Sequence, residues 1–206
     1  PCRGSDRIQL VWDACHGTVP GFRMIYHLSL QTAGYVAGIV LLLLGLWGLA
    51  LPAASQVAAR SLPRSRVGGF VLLTIAFFWS FWLLATMEMG EFSSFRKPLL
   101  FVLPVGFLLV LRFVDEFLAA RALGILFLLA AEPLLDAAFF RNETSRLLVT
   151  VFAYILIVAG LIWVTMPYLL RDQINWSARS NGRWRLAHGL VFLYGAAILA
   201  CAVTRY

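Results

Sequence analysis

An all-α, polytopic transmembrane helix bundle is the fold class this sequence predicts, and three observations carry the expectation. Of the 206 residues, 61% are hydrophobic and only 13% charged, against about 45–50% apolar and roughly 25% charged in soluble domains. The apolar residues gather into runs of about 20, the length needed to cross a hydrocarbon core of roughly 30 Å. The charge is unbalanced, with 17 Lys+Arg against 10 Asp+Glu, and the surplus sits in two short loops. Disorder is excluded because disordered chains are poor in Leu, Ile, Val and Phe. A disulfide framework is excluded because three cysteines cannot staple a chain this long.

Residues 1–27 read as a polar extracytoplasmic segment broken by Gly4, Gly17, Pro20 and Gly21. The segment has no Met start and no signal-peptide pattern, so a processed product or a fragment is expected. Outside the membrane, Cys2 and Cys15 can close a disulfide across a short loop; two free thiols are the other reading. Residues 28–206 form a single bundle of about six spans. The first (28–52), second (67–87), fifth (147–170) and sixth (186–204) have charge-free interiors. They must be helices, since backbone polar groups cannot stay unpaired in lipid.

The third and fourth (98–114 and 117–140) are harder to place. Pro98–Leu111 is apolar but short, and Ala122–Phe140 is long enough only with Glu132 and Asp136 inside it. They read as two short or tilted spans, or as a re-entrant hairpin with its tip at Arg112–Glu116.

Charge partition orients the bundle. The loop 52–66 carries Arg60, Arg64 and Arg66 without an acid; the loop 171–185 carries Arg171, Arg179, Arg183 and Arg185 against Asp172. Six spans put both loops on one face, which the excess of Arg and Lys in cytoplasmic loops makes cytoplasmic. Both termini are then extracytoplasmic. The seven arginines are expected to meet anionic lipid; no extramembrane domain is large enough to bind nucleic acid. The preference for Arg over Lys fits a GC-rich bacterial genome, hence the inner membrane of a bacterium.

Ionisable groups inside spans are functional suspects because their insertion is costly. Arg121, Glu132 and Asp136 are eleven and four residues apart, so at roughly 100° per residue they share one helix face. They form a proton or ion site, or an inter-subunit salt bridge, unless the helix ends near Ala131 and leaves both acids among the headgroups. Gly34 and Gly38 make a Gly-x-x-x-Gly suited to close helix packing. Trp163, Trp176 and Trp184 read as interfacial anchors. No internal repeat is apparent. There is no Cys-x-x-Cys, His-Glu-x-x-His, Gly-rich phosphate loop or Gly-x-Ser-x-Gly. No catalytic residue, metal site or cofactor is therefore expected. The leading expectation is a non-catalytic accessory or scaffold subunit of a larger membrane complex, with other membrane subunits or further copies as partners. The alternatives are a small proton, ion or solute transporter or channel using Glu132 and Asp136, and a lipid-modifying membrane enzyme.

Overall fold

The computed structural model describes residues 29–86, 94–113, 117–138 and 146–204, which are all-helical with no strand among them. Ser29 starts α1 (Leu30–Ala50), its Oγ accepting from the Thr32 amide at 3.1 Å. α2 (Pro52–Ser61) and a 3-10 turn (Leu62–Arg64) lead into α3 (Arg66–Thr86); α4 (Arg96–Phe113), α5 (Leu118–Ala138), α6 (Arg146–Thr165), α7 (Pro167–Ser177) and α8 (Asn181–Thr204) follow. α1, α3, α5, α6 and α8 are each long and apolar enough to cross a membrane. The chain is a multi-pass membrane protein.

The expected third span is the exception. Its apolar stretch Pro98–Leu111 is bracketed by Arg96, Lys97 and Arg112. Fourteen residues at 1.5 Å reach about 21 Å, short of a core of about 30 Å. α4 buries none of its residues and rests on α3, where Phe77 and Phe107 meet at 4.5 Å. α5 is a full-length span, so only α4 of the pair is short. Lying along α3 with Leu99 near Leu83 and Phe107 near Phe77, α4 carries the chain back toward the start of α5, as the expected short third span would.

Two of the expected boundaries move because of proline. Pro inside a helix removes one backbone hydrogen bond and favours a break before it, but it suits the first turn, where its missing N–H costs nothing. Leu51-Pro52 therefore ends α1 and begins α2, and Met166-Pro167 ends α6 and begins α7. The expected fifth span to Leu170 stops at Thr165, and the expected loops 52–66 and 171–185 are largely helical, with α8 already begun at Asn181. Leu51 (φ −125°, ψ 64°) and Met166 (φ −127°, ψ 72°) make the same one-residue elbow.

The likeness extends well beyond the elbows. Pro52 and Pro167 stand 115 positions apart, and the same displacement carries Arg66, the start of α3, onto Asn181, the start of α8. It also carries the buried Gly34, Gly38, Leu41 and Gly45 of α1 onto the buried Val149, Ala153, Leu156 and Gly160 of α6. On the outward faces, Val36, Ile39, Val40, Leu43 and Leu46 match Val151, Tyr154, Ile155, Val158 and Leu161, all exposed. The chain thus contains one motif twice: span, elbow, short helix, span. Its two copies share shape and the pattern of buried and exposed positions more than identity or side-chain size, which is why no repeat is apparent in the sequence alone.

Close approach between helices holds the bundle together. α1 and α8 run antiparallel, with Gly38 beside Leu199, Gly45 beside Phe192, and Gly195 beside Leu41. α5 and α6 meet at Gly124 and Gly160, where a Cβ on either would stand 2.8 Å from the other's carbonyl oxygen. Gly69, near the start of α3, lies against Leu118 and Ala119 at the start of α5, so those two helices run the same way. A core of Leu30, Ala37, Leu41, Leu134, Val149, Leu156 and Ile198 joins α1, α5, α6 and α8.

Overfilling a tight contact costs about 1–3 kcal/mol, so Gly124→Leu should lower the thermal midpoint in detergent. Gly106→Ala, with nothing within 4 Å of its added Cβ, should leave it unchanged or slightly raised.

Candidate functional site

The two short helices are amphipathic and lie at one end of the bundle. Three hydrogen bonds lock α2 against α8 and the turn before it. The Ser55 hydroxyl donates to the Pro52 carbonyl at 3.1 Å and accepts from the Trp184 indole N–H at 3.0 Å. Ser55 and Trp184 are both buried, so the pairing satisfies an indole N–H that would otherwise be stranded. Arg60 Nη2 donates to the Ala178 carbonyl at 2.6 Å, and Gln56 Nε2 to Asn181 Oδ1 at 2.9 Å. Trp184, expected as an interfacial anchor, is instead buried, carried by α8 and bonded to Ser55 of α2. His188 stacks on it at 4.3 Å and lies 3.0 Å from its carbonyl through Nδ1, which must donate because the carbonyl can only accept. The ring occupies the space that Gly48 leaves on α1; a Cβ there would collide with it.

The seven arginines singled out by charge partition belong to this end of the bundle. Arg60, Arg66, Arg179, Arg183 and Arg185 are exposed, and Arg64 stands in the 3-10 turn. Arg183 lies over the exposed Trp176 ring at 4.9 Å. Arg171 differs from the rest. It pairs with Asp172 at 3.1 Å and lies 5.7 Å from the Phe117 ring, beside the residue whose φ of 56° turns the chain into α5. A second polar contact ties α6 to α7: the Trp163 indole N–H donates to Gln173 Oε1 at 3.1 Å, while Phe127 of α5 packs on the indole at 4.9 Å.

Arg121, Glu132 and Asp136 all lie on α5, which continues unbroken through Pro133 to Ala138. The helix does not end near Ala131. One face does not make one site, however: eleven residues separate Arg121 from Glu132 by about 16 Å along the axis. Arg121 belongs to the basic half, and both acids to the opposite half. The Arg121 Nε is buried without a hydrogen-bond partner among the described residues. Glu132 and Asp136 are half-buried. Asp136 stands two turns beyond Leu129 on the same face, and Leu129 helps line an apolar groove of about 350 Å³ with Ser80, Leu83, Leu99 and Val102 of α3 and α4.

Gly34 and Gly38 are both buried on α1, and Gly38 faces α8. Cys2, Cys15 and the rest of segment 1–27 lie outside the described residues. Among the described residues no three His, Cys, Asp or Glu side chains group closely enough to hold a metal ion. No protein-family model, curated protein or solved structure matches the chain.

Sequence reasoning missed Ser55, Gln56 and Gln173, because a hydropathy scan treats polar residues beside a span as loop. The usable signal was the proline after each apolar run, which starts a new helix and fixes where such side chains point. Trp184→Phe keeps an aromatic ring and the Ser55–Pro52 bond but removes the indole donor, at a cost of about 1 kcal/mol. A double-mutant cycle with Ser55→Ala, read by detergent unfolding, should return a coupling of about 0.5–1.5 kcal/mol.

Proposed function

We propose that the protein is a non-catalytic accessory or scaffold subunit of a larger assembly in a bacterial inner membrane, with its basic end in the cytoplasm against anionic headgroups. The single observation supporting this is the bonded end-plate. Ser55, Trp184, Gln56, Asn181 and His188 are among the polar side chains best placed for chemistry, yet their hydrogen bonds join α2 to α8 and hold α8 in shape. What they hold in place is a fixed array of outward arginines. A rigid charged surface beside a close-packed bundle suits holding and positioning better than turnover. Each Arg near an anionic surface adds about 1 kcal/mol of attraction, so the end-plate also orients the chain.

Extraction in mild detergent followed by sizing should find the protein with a partner chain or as an oligomer; a lone monomer overturns the reading. Substituted-cysteine labelling should reach Ser61→Cys and Arg179→Cys from the cytoplasmic face, and labelling from opposite faces would refute the shared end-plate.

A transport reading rests on the placement of Asp136 along the α5 face that borders the α3–α4 groove. On that reading, Glu132→Gln and Asp136→Asn abolish proton or cation flux in proteoliposomes. Flux through both variants at the wild-type rate removes it.

A further inference from the structure

We infer that the α6–α7 elbow is a binding groove for one anionic glycerophospholipid of the cytoplasmic leaflet. The inference rests on the orientation proposed above and deepens it from a diffuse charged surface to a defined site. A groove of about 440 Å³ runs along the outward face of α6 from Val151 past Ile155 and Val158 to Trp163, and Gln173 of α7 lies at its end. From Val151 to Trp163 is twelve residues, about 18 Å at 1.5 Å per residue. One leaflet contributes about half of a 30 Å core, so the groove is as long as an acyl chain is deep.

Its polar end is chemically defined. The Trp163 indole can only donate, so the Gln173 amide must present its oxygen to it, as the 3.1 Å contact records. The Gln173 NH₂ is thereby turned away from the indole, a donor at headgroup depth. One turn along α7 stands Trp176, with the Arg183 guanidinium over its ring. Two further exposed arginines, Arg179 and Arg185, follow Trp176 within nine residues of chain. An apolar channel, an oriented amide donor and a guanidinium match an acyl chain and a phosphodiester.

The first copy of the motif is a built-in comparison. Where the second copy has Trp163 and Gln173, the first has Gly48 and Ala58. Its outward face is equally apolar but has no indole–amide pair at its foot. A lipid held merely by an apolar helix face would occupy both copies; one held by the polar end occupies the second alone.

Native mass spectrometry of the full chain released from mixed phosphatidylglycerol and phosphatidylcholine nanodiscs tests this. The wild type should retain one phosphatidylglycerol in preference to phosphatidylcholine of the same chains. Gln173→Glu still accepts from Trp163 but replaces the free donor with an anionic oxygen, and should cut that preference about fivefold without lowering phosphatidylcholine retention. Trp163→Leu should reduce retention of both lipids, whereas Trp47→Leu in the first copy should change neither. Equal retention of the two lipids by the wild type overturns the inference, as does a Gln173→Glu variant that keeps its preference. So does an equal loss in Trp47→Leu, which would reveal only general attraction to a basic protein. Partner chains are scored in the same spectra, so a missing partner refutes the scaffold reading while leaving the lipid result to stand or fall alone.

Discussion

Backbone-to-backbone approach at glycine is the constraint on which the rest of this structure depends. Lipid tails are as apolar as leucine, so no hydrophobic force drives these helices together; close packing must. The contacts at Gly45 with Phe192 and at Gly124 with Gly160 bring main chains near enough that a single added carbon would not fit. Buried positions elsewhere follow the same rule, with alanine at 33, 37, 119, 120, 122, 131, 137 and 153. Large side chains such as Leu43, Phe101 and Val158 face outward, where lipid solvates them. Small residues dominate where helices touch most closely, and most of the bulky apolar ones face outward around a small core of leucine, valine and isoleucine.

Once the α1–α8 contact is fixed, the basic end of the molecule follows from it. Bringing Gly48 against His188 places the end of α1 beside the start of α8. The elbow at Leu51 then sends α2 sideways across that end, where Ser55 reaches Trp184 and Arg60 reaches the turn at Ala178. The arginine-rich segments, more than a hundred residues apart, are joined by these bonds rather than by chance proximity. Packing inside the membrane thereby determines how charge is displayed at its edge.

Most spans were legible in the sequence because length and composition decide them: the expected 67–87 matches Arg66–Thr86 to within a residue, whereas the fourth span, with Arg121, Glu132 and Asp136 inside it, is harder to place. The end-plate was only half legible. Counting Arg60, Arg64, Arg66 and the second basic group found the right end of the molecule, since charge partition is a one-dimensional property. Which polar groups face one another is not. Ser55 and Trp184 are 129 residues apart, and no pattern in either segment names the other. Arg121 and Glu132 fail in the opposite sense: angular periodicity puts them on one face, yet the rise of the helix separates them. A rule about direction around an axis says nothing about distance along it.

The repeated motif gives α5 a meaning its sequence does not suggest. If the two copies were related by simple symmetry, α6 would meet α3 as α1 meets α8, since α1 and α6 occupy one position in the motif and α3 and α8 the other. Instead α5 packs on both, against α3 at Gly69 and against α6 at Gly160. It is the wedge that breaks the symmetry, and it lies outside both copies. The same helix carries Arg121, Glu132 and Asp136, whose ionisable side chains have no counterpart in either motif. The α1–α8 contact is made where glycine meets leucine and phenylalanine, with no charged side chain at those points. A helix inserted between non-equivalent neighbours meets two different surfaces and must be fixed in depth and rotation by something more directional. Arg121 toward one end of α5 and Glu132 and Asp136 toward the other are groups of that directional kind. The structural demand on α5 is therefore sufficient to account for its charges, and only a flux that depends on them would require more.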